Sequence, residues 1–297
     1  MPRRENALPM PRETLPDTAG DWIQRAPASA ATQGIERIEA FFHDRAYALH
    51  RHDTYAIGRT LSGVQSFHYR RGLTSSLPGH TIVLHPDEPH DGQAGTTEGF
   101  RYRMIYVEPV QFQAVLGGRA LPFIDRGVST DPRLFAATDA LLQQMSCELE
   151  PLEQDDAIVE LALALAAVAG TPATRPGADF AAARRARDYL HAFCQQAVTL
   201  DELANASGRD RWSLSRDFRA FFGTSPHRYL TMRRLDAVRR AALAGVPLAD
   251  ASADAGFADQ SHMTRHFVKT WGMPPARWLR AMQAAGAVAP VSLRDAR

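Results

Sequence analysis

LSRDFRAFFGTSPHRYL (214–230) and MTRHFVKTWGMPPARWL (263–279) are two copies of one pattern, set 49 residues apart. Arg216 matches Arg265, Phe218 matches Phe267, Gly223 matches Gly272, Pro226 matches Pro275 and Leu230 matches Leu279. Upstream, LDELANASG (200–208) matches LADASADAG (248–256), with one residue added in the second turn. Each copy reads as a short helix, a turn at glycine and a second helix, which is the order of a helix-turn-helix unit. In the first copy Asp210 is placed to N-cap the second helix. Leu214 and Phe218 then face inward at i and i+4. Arg211, Trp212, Ser215 and Arg216 are left facing out. In the second copy Met263 and Phe267 turn inward, and Gln260, Ser261, His262 and Arg265 are left outward near the helix N-terminus. A recognition helix presents base-contacting residues from this part when it enters the major groove. Arg fits guanine and Gln fits adenine through two hydrogen bonds each.

The spacing between the copies supports that reading. A connecting helix is expected from Pro226 to about Ala244. About 19 residues at 1.5 Å each span about 28 Å, against about 34 Å between successive major-groove faces of a duplex. One stiff helix can therefore hold two reading heads on one face of DNA. A catalytic role for His262 and Arg265 would explain none of the duplication.

Charge divides the chain in the same place. Net charge is +1. Residues 180–280 carry sixteen Lys and Arg against nine Asp and Glu, a net +7. Residues 1–179 carry sixteen Arg against twenty-three Asp and Glu, a net −7. A basic part beside an acidic one points to a polyanionic partner for the basic part. With 45% hydrophobic and 23% charged residues the chain is globular, and 297 residues allow two domains. Cys147 and Cys194 stand far apart in no metal-type spacing and read as reduced thiols of a cytoplasmic protein. No apolar run reaches the length of a membrane span. The first 33 residues read as a disordered arm rather than a signal peptide.

Residues 34–170 read as a sensor half. IERIEAFFHD, YALHRHDTYAIG, the TIVLH run and FRYRMIYVEP look like strands punctuated by glycine and proline. So many short strands predict a small barrel or sandwich. In the last run Phe100, Tyr102, Met104 and Tyr106 share one face, and Arg101 and Arg103 the other. DPRLFAATDALLQQMSCELE and DDAIVELALALAAVAG read as helices, the second apolar over most of its surface and expected to be buried against the barrel or a second subunit. TPATRPGAD (171–179) reads as a linker and residues 281–297 as a tail. No nucleophile–base set, phosphate loop or carboxylate pair stands out.

Residues 184–280 resemble the DNA-binding domain of AraC/XylS-type transcription regulators, on LDELANASG, LSRDFRAFFGTSPHRYL, RRLDAVRRAAL and DAGFADQSHMTRHFVKTWGMPPARWLR in family order. The resemblance implies an all-α domain of two helix-turn-helix units, promoter DNA as partner, and activation through RNA polymerase. It assigns base or phosphate contacts to the eight outward residues named above. The family usually has a large aliphatic residue followed by alanine where this chain has Ala251 and Ser252, and an aromatic where it has Met263, so the second core is expected to be less filled. Residues 35–110 resemble, less specifically, the cupin-like effector-binding domain of such regulators. That implies an α+β multidomain fold, a β-barrel holding a small-molecule effector, and helices that pair a homodimer. His50, His52, His90, Arg103 and Tyr106 are the candidate effector-binding residues. In metal cupins a similar arrangement completes a histidine triad, but the usual glutamate after HRH is missing, so no metal or other cofactor is assigned. A metal-binding cupin sensor or enzyme is the rival reading for this half, and it leaves the attached repeat unexplained.

Overall fold

The computed structural model describes residues 20–27, 35–70, 72–170 and 176–286. Most of the expected arm, the first five linker residues and residues 287–297 lie outside them. Among the described residues ten strands come first: β1 (Trp22–Arg25), β2 (Ile35–Phe42), β3 (Arg45–His50), β4 (Tyr55–Gly63), β5 (Gln65–Tyr69), β6 (Gly72–Ser76), β7 (Thr81–Leu84), β8 (His90–Ala94), β9 (Phe100–Val107) and β10 (Val128–Ser129). They form a six-stranded sheet in the order β1-β2-β9-β4-β7-β10 and a four-stranded sheet in the order β3-β8-β5-β6. Every pairing between these strands is antiparallel.

The expectation for the arm needs correction. Trp22–Arg25 pairs with β2 in register Trp22↔Phe41 to Arg25↔Ile38. Its alternation was too short to read as a strand, yet Trp22 and Ile23 are buried.

The period-2 pattern of β9 decides what lies where. Phe100, Tyr102 and Met104 face the space between the sheets, where Phe42 of β2 and Phe67 of β5 join them. Ile105 and Val107 face the other way, onto the first three helices. These are α1 (Pro109–Leu116), α2 (Pro132–Leu142) and α3 (Pro151–Ala169). Buried Arg103 and Arg37 also point to that side. Arg103 donates to the carbonyls of Leu142 and Gln143, and Arg37 to those of Leu141, Gln144 and Cys147. The open C-terminal carbonyls of α2 thus find donors in the sheet. One face of the apolar helix α3 is buried within the chain. Ile158, Leu161 and Leu165 are buried, but Leu152, Val159 and Leu163 are exposed.

Seven helices follow: α4 (Phe180–Ala192), α5 (Leu200–Ser207), α6 (Arg211–Phe222), α7 (Pro226–Leu243), α8 (Leu248–Asp254), α9 (Gln260–Trp271) and α10 (Pro275–Gly286). Helix continues six residues past 280, where the sequence reading began the tail. A Thr199–Glu202 capping box starts α5. Asp210, Ser225 and Asp259 cap α6, α7 and α9 by accepting from Ser213, Arg228 and His262 backbone N–H groups. Gly256 turns α8 into α9 at φ +83, where a Cβ would lie 2.5 Å from the Gln195 carbonyl. Only glycine fits both demands.

The helical part lies directly on the barrel. The backbone N–H groups of Ala48 and Arg51 donate to the carbonyls of Gly272 and Lys269, at the C-terminal end of α9. Arg228 pairs with Asp87, Arg233 with Asp53 and Glu108, and Arg239 with Glu36. Three arginines of α7 therefore meet four acids of the barrel part. Part of the charge split read as a mark of DNA is spent inside the molecule.

Candidate nucleic-acid interface and effector cavity

The pairs α5–α6 and α8–α9 are the two helix-turn-helix units, and α7 joins them. Its 18 residues span about 27 Å. Leu214, Phe218, Phe221 and Phe222 of α6 face a helical core, and Met263 and Phe267 of α9 face inward into a core that continues into the strands. Arg211, Trp212 and Arg216 are exposed and Ser215 is half-buried. On α9, Gln260, Ser261 and Arg265 are exposed and His262 is half-buried.

Local contacts hold these side chains in place. The Arg211 guanidinium lies 5.0 Å over the Trp212 ring, which is 62% exposed. A large apolar ring left in water beside a cation suits a flat or anionic partner. Arg216 donates to Ser213 Oγ at 3.0 Å. His262 differs from the other seven. Its Nε2 lies 3.0 Å from Nε2 of His266, and its ring meets Phe257 edge-on.

Between the barrel and α7 lies a cavity of about 790 Å³, within the range of small-molecule sites. Ile23, Ile38 and Tyr106 line it from the barrel and Met232 from α7, and Trp271 and Trp278 close one side. Its polar wall holds Arg25, Glu36 and Arg239. The Arg239 guanidinium lies 4.8 Å and 4.9 Å from the rings of Trp271 and Trp278 while bonding Glu36 at 2.8 Å. Burial opposes the charge on Glu36, but Arg239 and Arg25 outweigh it and hold the carboxyl below its ordinary range. At Asp53 burial wins over Arg233, and the carboxyl is raised to about 6.

Four of the five candidate effector residues come together. His50, His52 and His90 cluster, with ring centroids 4.3 Å apart for His50 and His90 and 4.8 Å for His52 and His90. Tyr106 stands edge-on to His52 at 5.5 Å. His52 and Tyr106 line the cavity. His50 and His52 do not share a strand face, because β3 ends at His50 and His52 follows in the turn. Arg103 is the exception. It sits on the helix-facing side of β9, ion-paired with Glu39 at 2.7 Å, away from the cavity. The alternation had separated Arg103 from Tyr106 without saying which face was inside. The sequence reading missed Glu36, Asp53, Glu108, Arg233 and Arg239. Their pairings join positions 125 to 203 residues apart, and no local pattern marks them.

Residues 32–167 match the family described as AraC-like ligand binding domain, and residues 203–281 a helix-turn-helix domain family. The HTH-type transcriptional regulator YbfI of Bacillus subtilis is 24% identical over 222 residues, 72% of this chain and 80% of that one. The probable transcription factor PqrA of Proteus vulgaris is 31% identical over 84 residues, 28% of this chain and 69% of that one. ToxT from Vibrio cholerae shares the fold, with TM-score 0.63 and 10% identity over 84% of this chain and 99% of that one. Wild-type ToxT bound to an unsaturated fatty acid gives TM-score 0.58 and 8% identity over 91% and 99%. Two reading helices on one connector, a ligand-binding domain ahead of them and these relatives agree: the chain belongs to the AraC-type family of transcription regulators.

Proposed function

We propose that the cavity is the effector site and that its occupant sets how the two reading helices meet promoter DNA. The observation that carries this is the shared wall: Tyr106 and Glu36 of the barrel face Met232 and Arg239 of the connector across one space. A ligand there touches both parts, so it binds their alternative arrangements unequally and shifts the balance between them. The wall suits an amphipathic molecule with an anionic end. The apolar body would lie against Trp271, Trp278 and Ile38, and the anion would compete with Glu36 for Arg239 and Arg25. The fatty acid held by ToxT has this chemistry.

The eight outward residues make the DNA contacts in this reading. Activation runs through RNA polymerase, and two chains pair through α3. Leu152, Val159 and Leu163 lie at i, i+7 and i+11, one stripe of that helix. The site of action is the cytoplasm, where promoter DNA is. The barrel binds its ligand and does not transform it.

Selection of genomic fragments by the purified full chain at near-physiological salt should return paired half-sites. Adding amphipathic carboxylic acids should change affinity for those sites and leave the acids chemically intact. No enrichment with or without such acids would overturn the reading.

A further inference from the structure

His50, His52 and His90 do more than line a wall. All three are buried, and one nitrogen from each lies within 4.8 Å of the other two. They reach this point from the end of β3, the turn after it and the start of β8, where His50 and His90 are register partners.

Each Nδ1 is already engaged. It lies 2.9 Å from a backbone carbonyl: Ala48 for His50, Thr54 for His52 and Glu88 for His90. A carbonyl only accepts, so Nδ1 carries the proton in each ring and Nε2 keeps its lone pair. Metal-bound histidines are oriented by this kind of outer hydrogen bond. Packing alone gives no reason for three neutral imidazoles to be oriented alike by three separate carbonyls.

We propose that His50, His52 and His90 form a binding site for a divalent transition-metal ion of the zinc class. Imidazole donors without carboxylate or thiolate suit zinc, iron(II), nickel or copper rather than magnesium or calcium. Three protein ligands leave a further position for water or an exogenous donor. Bonds of about 2.1 Å in a tetrahedral site bring ligand nitrogens to about 3.4 Å, so the rings swing inward by about 1 Å as the ion enters. The same segment grips the second helix-turn-helix unit and the connector α7. Ala48 and Arg51 bond Gly272 and Lys269, and Asp53 holds Arg233. An ion at the triad fixes both ends of that grip.

The test uses the full chain, stripped with a chelator and titrated with cobalt(II) followed by visible absorption. One equivalent should bind, and zinc should displace it. H52Q and H90Q should each weaken binding by more than the roughly 100-fold that loss of an outer partner costs, with circular dichroism confirming the fold. H262Q/H266Q removes the other close histidine pair and should leave stoichiometry unchanged. If the triad variants do not fold, X-ray absorption on the zinc-loaded wild type decides: three imidazole nitrogens at about 2.0–2.1 Å support the site, and fewer overturn it. No saturable binding, or binding lost in H262Q/H266Q and kept in H90Q, also overturns it.

Discussion

Phe218 and Phe267 hold equivalent places in the repeat, yet they sit in different cores. Phe218 belongs to a cluster built from α4 to α7, with Val110 of α1 packed against it. Phe267 belongs to a cluster that runs without a break from Met263 and Trp278 into Ile23, Phe42 and Tyr102 of the barrel. The first unit largely supplies its own interior. The second shares the sensor's. This explains how Ala251 and Ser252 are tolerated. Both are buried, the Ser252 hydroxyl is satisfied by the Leu248 carbonyl, and volume comes from Met273, Phe257 and the barrel. Duplication of a motif copies its geometry but not its support.

The sharpest way to break this contrast is truncation of the two phenylalanines. Each change should cost about 3–5 kcal/mol. Phe267→Ala should lower hydrogen-exchange protection in the barrel strands as well as in α8–α10, whereas Phe218→Ala should leave the barrel amides protected. Equal spread from both variants would show a single cooperative core. Next come two arginines that pair with buried acids. Arg209 pairs with Asp217 at 2.9 Å inside the helical part, and Arg233 pairs with Asp53 across to the barrel. Removing either takes the charged partner from a buried acid, at about 3 kcal/mol, although Asp217 keeps the Asp179 backbone N–H. Arg233→Ala should expand the molecule by small-angle scattering, and Arg209→Ala should not.

A smaller effect concerns DNA. Arg216→Ala and Arg265→Ala should each cost about 1–3 kcal/mol of binding and relax specificity at separate base positions. Competition assays over a randomised site would register uniform weakening instead if these side chains touch only phosphate. The smallest effect concerns pH. His266 is shifted down to about 4, by burial first and by His262 next. The unfolded chain therefore takes the proton more readily. The contribution is intact above about pH 6.5 and is lost as pH falls toward about 4. The first unit carries Ser213 and Asp217 at the equivalent positions. Melting followed by hydrogen exchange in α8–α10 should show a loss of stability across this window, and His266→Asn should reduce that loss.

The repeat made the helical third legible, because helix periodicity, caps and glycine turns are all local signals. Asp210 caps as expected, and the structure adds Asp259 as the matching cap of the second copy; the outward residues follow from i, i+4 geometry. The barrel strands were legible from alternation, but β1 and α1 were not. Trp22–Arg25 is four residues long, and its pairing is set by β2. The second element, PVQFQAVL, is eight residues long and follows directly on a strand that ended in proline. The cavity was least legible. Its walls come from strands and helices about two hundred residues apart, and its ion pairs depend on how the two halves dock. Arg103 shows the limit: period 2 separates the faces of a strand, and only the partner sheet says which one is enclosed.

The arginines of α7 have a consequence for how such proteins are assembled from parts. Arg228, Arg233 and Arg239 are neutralised by Asp87, Asp53, Glu108 and Glu36 of the sensor. A chimaera that joins this DNA-reading part to a barrel lacking acids at those four places inherits three connector cations with only Asp236 to answer them. The sensing and reading parts are therefore not freely interchangeable, and an exchange succeeds only when the counter-charges travel with it.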